Sequence, residues 1–168
     1  MLHEYISKTV NDMNAIASDI LNIAKQRLHA NEVALIALSG DMGSGKTTLV
    51  QACARVFGIT NIVTSPTFVI MKKYAIPSND VGRIEMSRTT RGEYPQWQQL
   101  VHVDAYRLEH ALELLALGFQ KELDNHNNIT MIEWPENVSD VFKNKKHIYI
   151  ECRFIDEETR QFHVTIKE

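Results

Sequence analysis

The sequence has little cysteine, no excess of basic residues and no long apolar run, and each absence narrows the possible functions. Two cysteines occur in 168 residues, Cys53 and Cys152, and neither lies in a metal-ligand spacing. A cysteine-based metal site is therefore not expected. We predict instead that both are small buried side chains, as suits a reducing cytoplasm.

The charge pattern argues against a protein whose main task is to bind nucleic acid. The chain has 18 Lys and Arg against 21 Asp and Glu, a net charge of −3. Proteins that bind phosphate backbones strongly usually carry a run or stripe of basic residues. No such run is present in the sequence, so strong direct binding to RNA or DNA is not expected.

The hydrophobic residues are spread as in a globular protein. No apolar stretch approaches the ~18 residues of a membrane span. The start, MLHEYISKTVND, lacks the basic and apolar segments of a signal peptide. We therefore expect a cytoplasmic protein with no membrane association. The length of 168 residues suits a single domain over 1–168, and few apolar clues to an interface favour a monomer.

Hydrophobic periodicity in the first third of the chain predicts helix, strand and helix. Apolar residues at three- and four-residue steps predict a helix over 9–28, capped by Thr9 with Asp12 in its first turn. The continuous apolar run at 33–38 predicts a strand buried on both faces, as in a parallel sheet. A further helix is predicted over 46–57.

The middle of the chain predicts more strands and a long irregular segment. One strand is expected over 68–74, one ends at Asp104, and one ends at Glu133. After Asp104 we predict a helix that ends near Gly118, with an apolar face formed by Leu108, Leu112, Leu115 and Phe119. Residues 75–98 are polar and punctuated by Pro and Gly, which predicts a long loop.

The last part of the chain alternates between apolar and polar residues. Residues 147–154 place Ile148, Ile150, Cys152 and Phe154 on one face, and residues 162–166 alternate likewise. This pattern predicts an antiparallel hairpin with one wet face. The whole pattern predicts an α/β fold, a mostly parallel central sheet flanked by helices, with a C-terminal antiparallel hairpin.

The run GDMGSGKTT, residues 40–48, fits the phosphate-loop pattern G-x-x-x-x-G-K-[ST]. Backbone N–H groups can surround a phosphate chain only where β-carbons do not block the approach, and the following helix N-terminus adds donors. Lys46 can reach the β- and γ-phosphates, and the Thr47 hydroxyl can bind Mg²⁺. A glycine-rich turn without a ligand is the alternative, which the flanking strand and helix disfavour. The candidate nucleotide-binding residues here are Gly40, Asp41, Met42, Gly43, Ser44, Gly45, Lys46, Thr47 and Thr48.

Two carboxylates and one threonine are candidates for the chemistry beside this loop. Asp104 and Glu133 each end an apolar strand, and the carboxyl ends of parallel strands share one edge. Either carboxylate can hold Mg²⁺ or orient the attacking water, or merely cap a helix. Thr67 can contact the metal as a switch threonine does, or belong to a simple proline turn.

Three further observations concern the base of the nucleotide, a tryptophan and a histidine near the predicted site. The segment NKKH at 144–147 lacks the aspartate that reads guanine, so ATP is expected rather than GTP. Trp134 follows Glu133 and can stack on a base or a partner, or serve as half-buried packing. His102 lies in a buried strand and is expected to be a hydrogen-bonded core residue rather than a catalyst.

Four motifs together resemble a known family. GDMGSGKTT, SPTF, HVDAYRL and IEWPENV occur in this order and are similar to those of the bacterial TsaE (YjeE) family, over about residues 8 to 155. The resemblance implies a P-loop ATPase of tRNA threonylcarbamoyladenosine (t6A) synthesis that uses ATP and Mg²⁺. It also implies TsaB and TsaD as partners and tRNA contact only through that complex. ATP hydrolysis would reset the complex between turnovers.

The resemblance also assigns roles to residues. Lys46 and Thr47 would hold phosphates and Mg²⁺, and Thr67 would be the switch threonine beside the metal. Asp104 and Glu133 would be the essential acidic pair, catalytic together with Lys46, with Glu133 on the metal side. The same resemblance implies that Trp134 is needed for activity, in contact with the nucleotide or a partner.

One segment departs from the family pattern and leaves alternatives open. An insertion of about 76–97 carries Arg83, Arg88 and Arg91, and suits a surface elaboration or a flap that contacts a partner or tRNA. Those arginines also allow the rival hypothesis of a small-molecule P-loop kinase with an arginine-bearing lid. A third possibility is an adaptor that binds ATP without hydrolysis, which the acidic pair disfavours.

Overall fold

The computed structural model describes residues 2–27, 33–77 and 97–168. Within them one sheet has the strand order β1-β7-β6-β2-β5-β4-β3. Its strands are β1 (Leu2–Ser7), β2 (Ala34–Ser39), β3 (Met71–Ala75), β4 (Gln99–Asp104), β5 (Asn128–Glu133), β6 (His147–Phe154) and β7 (Arg160–Lys167). The helices are α1 (Val10–Arg27), α2 (Lys46–Val56), α3 (Ala111–Ala116), α4 (Phe119–Leu123) and a 3-10 helix, Pro135–Val141.

The centre of the sheet is parallel and its edges are antiparallel. Strands β6, β2, β5 and β4 run in one direction, whereas β3 pairs with β4, β7 with β6 and β1 with β7 in antiparallel fashion. The predicted α/β fold with a mostly parallel core and a C-terminal hairpin is confirmed. Because the parallel strands end together, the carboxyl ends of β2, β4 and β5 lie along one edge.

Helices cover both faces of the parallel strands. Alternate residues of β2 contribute to different cores, with Ile36 and Leu38 packed beneath α1 and α2, and Leu35 and Ala37 packed against the other side. This explains why the run at 33–38 is apolar throughout. At the start of α1, the amide of Asp12 donates to Thr9 Oγ1 at 3.1 Å, and the predicted cap is confirmed.

The prediction of one helix directly after Asp104 was wrong. Two short helices occur there, separated by Gly118 with φ of 81°. Leu112 is 74% exposed, while Leu114 and Phe119 are buried. The chain first turns at residues 105–110, so the helical period starts only at Ala111 and a different set of side chains faces the core.

Two strand predictions also needed correction. Strand β3 begins at Met71 rather than at residue 68, because Pro66 O accepts the amide of Val69 at 2.8 Å and closes a turn there. Strand β1 was not predicted at all. It is an edge strand with Leu2 and Ile6 exposed, so its sequence carries little apolar signal and its register comes from β7.

Most of the predicted insertion, residues 78–96 with Arg83, Arg88 and Arg91, lies outside the described residues. Trp97 at its end is buried, with its ring edge-on to Phe57 at a centroid distance of 6.1 Å. The boundaries of the insertion and the single-domain organisation stay predictions. In the parts of the chain that the structure describes, no helix is long and apolar enough to cross a membrane.

Candidate nucleotide site

The glycine-rich segment forms a tight turn between the end of β2 and the start of α2. Gly40 has φ of 136°, and a β-carbon there would lie 2.1 Å from the carbonyl oxygen of Cys152. Gly45, with φ of 97°, immediately precedes the first residue of α2. No other residue type fits Gly40 without displacing the neighbouring strand β6, so the first glycine of the motif is required by packing as well as by its dihedral angles.

Lys46 lies in the curve of this loop. Its ammonium donates to the carbonyl oxygens of Gly40 at 2.6 Å and Asp41 at 2.8 Å. The same nitrogen lies 4.0 Å from the centroid of the Trp134 ring, within the range of a cation–π interaction. The lysine is nearly fully buried, so its charge is held at the position where a phosphate chain would pass.

Glu133 ends β5 and is contacted from two elements. The hydroxyl of Thr47 lies 2.9 Å from Oε1 and 2.9 Å from Oε2 and donates to the carboxylate. His102 Nε2 lies 2.7 Å from Oε1. With 3% exposure, this carboxylate is a desolvated acceptor beside the loop residue that binds Mg²⁺ in phosphate loops.

Asp104 ends β4 directly beside Glu133 but has different partners. Its Oδ2 accepts hydrogen bonds from Ser65 Oγ at 2.7 Å and from the Thr67 hydroxyl, and Oδ1 accepts from the Tyr106 amide at 3.0 Å. The side chain is buried. Thr67 therefore lies with Asp104, whereas Thr47 lies with Glu133.

The hydroxyl and carboxylate groups of this site suit a Mg²⁺ ion that is held together with a nucleotide, rather than an ion held by protein side chains alone. In the residues described, no group of three or more His, Cys, Asp or Glu side chains could hold an ion. Mg²⁺ in nucleotide sites is bound by one or two carboxylates or hydroxyls together with phosphate oxygens and water. The hydroxyl of Thr47 and the carboxylate of Glu133, hydrogen-bonded to each other, fit that pattern.

Trp134 adopts a left-handed backbone conformation, with φ of 59°. Its amide donates to Leu38 O at 3.1 Å, which ties the end of β5 to the end of β2. The half-buried ring also contacts Tyr106, with centroids 5.1 Å apart. A non-glycine residue in this conformation is strained, and such strain is common at functional sites.

A cavity of about 620 Å³ contains these groups. Both carboxylates and Thr67 and Trp134 line it, as do loop residues Met42, Gly43, Gly45, Lys46, Thr47 and Thr48. Further wall residues come from Ser7 to Thr9, from the start of α1, and from the turn between β6 and β7. From that turn, Arg160 Nε donates to the carbonyl oxygen of Gly43 at 2.9 Å.

Comparison with known proteins then decides the family. The sequence model described as "Threonylcarbamoyl adenosine biosynthesis protein TsaE" matches residues 7–162. The chain belongs to the TsaE family. The resemblance stated from its motifs is thereby confirmed, and the family is one of t6A biosynthesis.

Relatives named tRNA threonylcarbamoyladenosine biosynthesis protein TsaE occur in distant bacteria. The one from Nostoc sp. PCC 7120 is 33% identical over 134 residues, spanning 78% of this chain and 69% of that protein. The one from Streptomyces coelicolor is 32% identical over 133 residues, spanning 79% and 78%. A crystal structure of YdiB from Bacillus subtilis has the same fold, with a TM-score of 0.61 at 24% identity over 98% of this chain and 84% of that one.

Some side chains of this TsaE-family site were not found from the sequence. Ser65 contacts Asp104; it lies in the SPTF motif, but no role was predicted for it. Arg160 contacts the phosphate loop and lies in none of the motifs. Arg160 follows an acidic turn and begins a strand, a position where a solvated arginine is ordinary. His102 was expected to be a hydrogen-bonded core residue, and its hydrogen bond reaches Glu133 itself.

Proposed function

We propose that this chain is an ATPase that binds ATP with Mg²⁺ and hydrolyses it to drive turnover of the TsaB–TsaD complex in t6A modification of tRNA. The carrying observation is the hydrogen bond between Thr47 and Glu133, 2.9 Å to each carboxylate oxygen, beside the phosphate loop. Membership of a t6A biosynthesis family supplies the process. The chain acts as a monomer that joins the complex and reaches tRNA only through it.

The phosphate-loop residues bind and orient the triphosphate. Backbone N–H groups of the loop and the ammonium of Lys46 would hold the β- and γ-phosphates. Bound Mg²⁺ would neutralise charge on the β- and γ-phosphate oxygens. Thr47 and Glu133 are the groups that would hold it, and Glu133 is the metal-side carboxylate because its partner is the Mg²⁺-binding hydroxyl.

Asp104 is proposed to orient the attacking water and accept its proton. It lies beside Glu133 in the sheet register, yet its hydrogen bonds come from Ser65, Thr67 and a backbone amide. A buried carboxylate held by two hydroxyls is suited to this role, because it is fixed in position and retains acceptor sites. Thr67 joins the nucleotide site through Asp104, and we propose that it contacts the metal side when the nucleotide binds.

ATP is favoured over GTP by position as well as by sequence. The segment 144–147 ends at the first residue of β6, and β6 runs parallel to β2, so this segment is at the edge of the sheet opposite the phosphate loop. It is therefore remote from any base bound at the loop. Trp134 remains the candidate aromatic contact for the nucleotide or for a partner.

A partner can sense the state of this site through the segment that carries Thr67. Phe68 is 88% exposed, and Ile62 and Val69 are also exposed. These apolar side chains flank the hydroxyls that bind Asp104. A change at the γ-phosphate that moved Thr67 would therefore move an apolar surface of the kind that protein partners contact.

The test is hydrolysis of ATP by the purified chain, alone and with TsaB and TsaD, at several Mg²⁺ concentrations. We expect slow Mg²⁺-dependent release of inorganic phosphate that changes when both partners are present, and multiple turnovers of t6A formation only with ATP hydrolysis. A rate insensitive to both partners, with phosphate passed to a metabolite, would instead support the small-molecule kinase.

A further inference from the structure

His102 is an unusual residue for its place in the sheet. It lies on β4 with 0% exposure, on the face that also presents Leu100 of β4 and Ile129 and Met131 of β5 to the core under α1 and α2. A polar ring among apolar side chains is costly unless it is hydrogen-bonded. A histidine at this buried position therefore needs a specific hydrogen-bond partner.

That partner is the carboxylate proposed to face Mg²⁺. His102 pairs with Met131 in the register of β4 and β5, so Glu133 is its diagonal neighbour on the same face. The 2.7 Å contact from His102 Nε2 reaches Oε1, while Thr47 contacts both oxygens from the phosphate loop. Glu133 is thus held between a donor from the sheet and a donor from the loop.

The contact assigns a proton to one ring nitrogen. The Glu133 carboxylate accepts hydrogen bonds from Thr47, and as an acceptor toward the ring it takes a hydrogen from Nε2. Among the residues that the structure describes, Nδ1 is buried without a hydrogen-bond partner.

We propose that His102 is a positioning residue that fixes the orientation of the Glu133 carboxylate for the Mg²⁺-bound nucleotide. This inference rests on the proposed ATPase function. His102 does not line the cavity, so it would not contact a nucleotide or metal bound there. It acts through Glu133, as hydrogen-bonding partners of metal ligands do elsewhere, where their removal typically costs 10- to 100-fold in metal affinity or activity.

Substitutions that place a hydrogen-bond donor at different distances from Glu133 test this role. In His102→Gln the side-chain amide can place a donor near the position of Nε2, whereas in His102→Asn the donor falls near Nδ1, short of Glu133. We expect His102→Gln to keep activity within about threefold, and His102→Asn and His102→Leu to lose about 10- to 100-fold in kcat/KM at limiting Mg²⁺. Excess Mg²⁺ should recover part of the loss, and affinity for ATP without Mg²⁺ should stay unchanged.

The matched control is His147, another buried histidine, whose Nδ1 lies 2.7 Å from Lys145 O. It begins β6 at the edge remote from the loop. His147→Leu should lower the melting temperature without changing the Mg²⁺ dependence. The proposal is overturned if folded His102→Leu shows the wild-type Mg²⁺ dependence, or if His102→Gln loses as much activity as His102→Leu.

A measurement on unsubstituted His102 covers the case in which its variants do not fold. Nitrogen-15 NMR of histidine-labelled protein should show one buried ring protonated on Nε2, and Glu133→Ala should shift that signal while leaving the His147 signal in place. A His102 ring protonated on Nδ1 alone would overturn the proposal. If the wild-type chain binds Mg²⁺ and ATP but hydrolyses none, the ATPase proposal fails, and Mg²⁺-dependent ATP affinity of the same variants still decides the role of His102.

Discussion

Asp104 and Glu133 are direct partners in the parallel pairing of β4 and β5, and each is the last residue of its strand. Despite this adjacency they have separate hydrogen-bond partners. Glu133 is bound by Thr47 of the phosphate loop, and Asp104 by Ser65 and Thr67 of the segment before β3. Two neighbouring carboxylates are thereby given different environments, which is how one site can support two different roles.

The separate role of Asp104 is tested by Asp104→Asn. We expect kcat to fall by about 10²-fold or more, since general-base contributions are of this size. ATP affinity in the presence of Mg²⁺ should change little, because Glu133 and Thr47 remain. Single-turnover hydrolysis and calorimetric binding measure the two quantities, with the exposed Asp124→Asn as control. An affinity loss as large as the rate loss would identify Asp104 as a metal ligand instead.

Gly40 is predicted to be irreplaceable for packing reasons. A β-carbon there would lie 2.1 Å from Cys152 O, and its φ is 136°. Gly40→Ala should lower the free energy of unfolding by roughly 3 kcal/mol, combining backbone strain and overpacking. Gly118→Ala is the control, because its φ is 81° with open space around it, and it should cost only about 1 kcal/mol. Equal losses in urea unfolding would contradict the clash.

The Trp134 ring should report nucleotide binding. Lys46 Nζ lies 4.0 Å from its centroid while bonded to loop carbonyls, and a bound triphosphate would attract that ammonium away. In a Trp97→Phe background, Trp134 is the single tryptophan of the chain, and its emission should change on addition of ATP. Lys46→Ala should remove most of the response. Unchanged emission at ATP concentrations shown to bind by calorimetry would refute this arrangement.

Neither cysteine should react in the native protein. Burial raises the pKa of the Cys53 thiol to about 12, and burial also raises the pKa of Cys152. Raised values mean that both thiols stay protonated at pH 8, and the thiolate is the reactive form. We expect no labelling by a disulfide reagent within minutes, and labelling of both after denaturation. Ser139→Cys supplies an exposed thiol as positive control, and rapid labelling of Cys152 in the native state would contradict the burial beside Gly40.

Much of this site could be predicted because its signals are local. The phosphate loop needs glycines at fixed spacing between a strand and a helix, and the carboxylates directly follow apolar runs that end at one sheet edge. These relations depend on neighbours in the sequence. The parallel centre of the sheet followed from the same runs, since strands buried on both faces are apolar throughout.

The remainder depends on contacts that no local pattern records. Thr47 and its carboxylate partner Glu133 are 86 positions apart in the sequence. Arg160 and Gly43, which are also hydrogen-bonded, are 117 positions apart. Strand β1 is placed by its pairing with β7 rather than by its own residues. The helix end near Gly118 was predicted, but the second short helix beyond it was not, because one continuous helix and two short ones share similar apolar content.

The measurement that tests the central claim most directly is Mg²⁺-dependent ATP hydrolysis by Glu133→Gln, compared with the wild-type chain. The exposed Glu136→Gln, three residues away, is the matched control. The account predicts that Glu133→Gln loses hydrolysis by about 10²-fold or more and loses the Mg²⁺ dependence of ATP affinity, while Glu136→Gln hydrolyses ATP as the wild type does. Wild-type hydrolysis and Mg²⁺ dependence in Glu133→Gln would contradict the account.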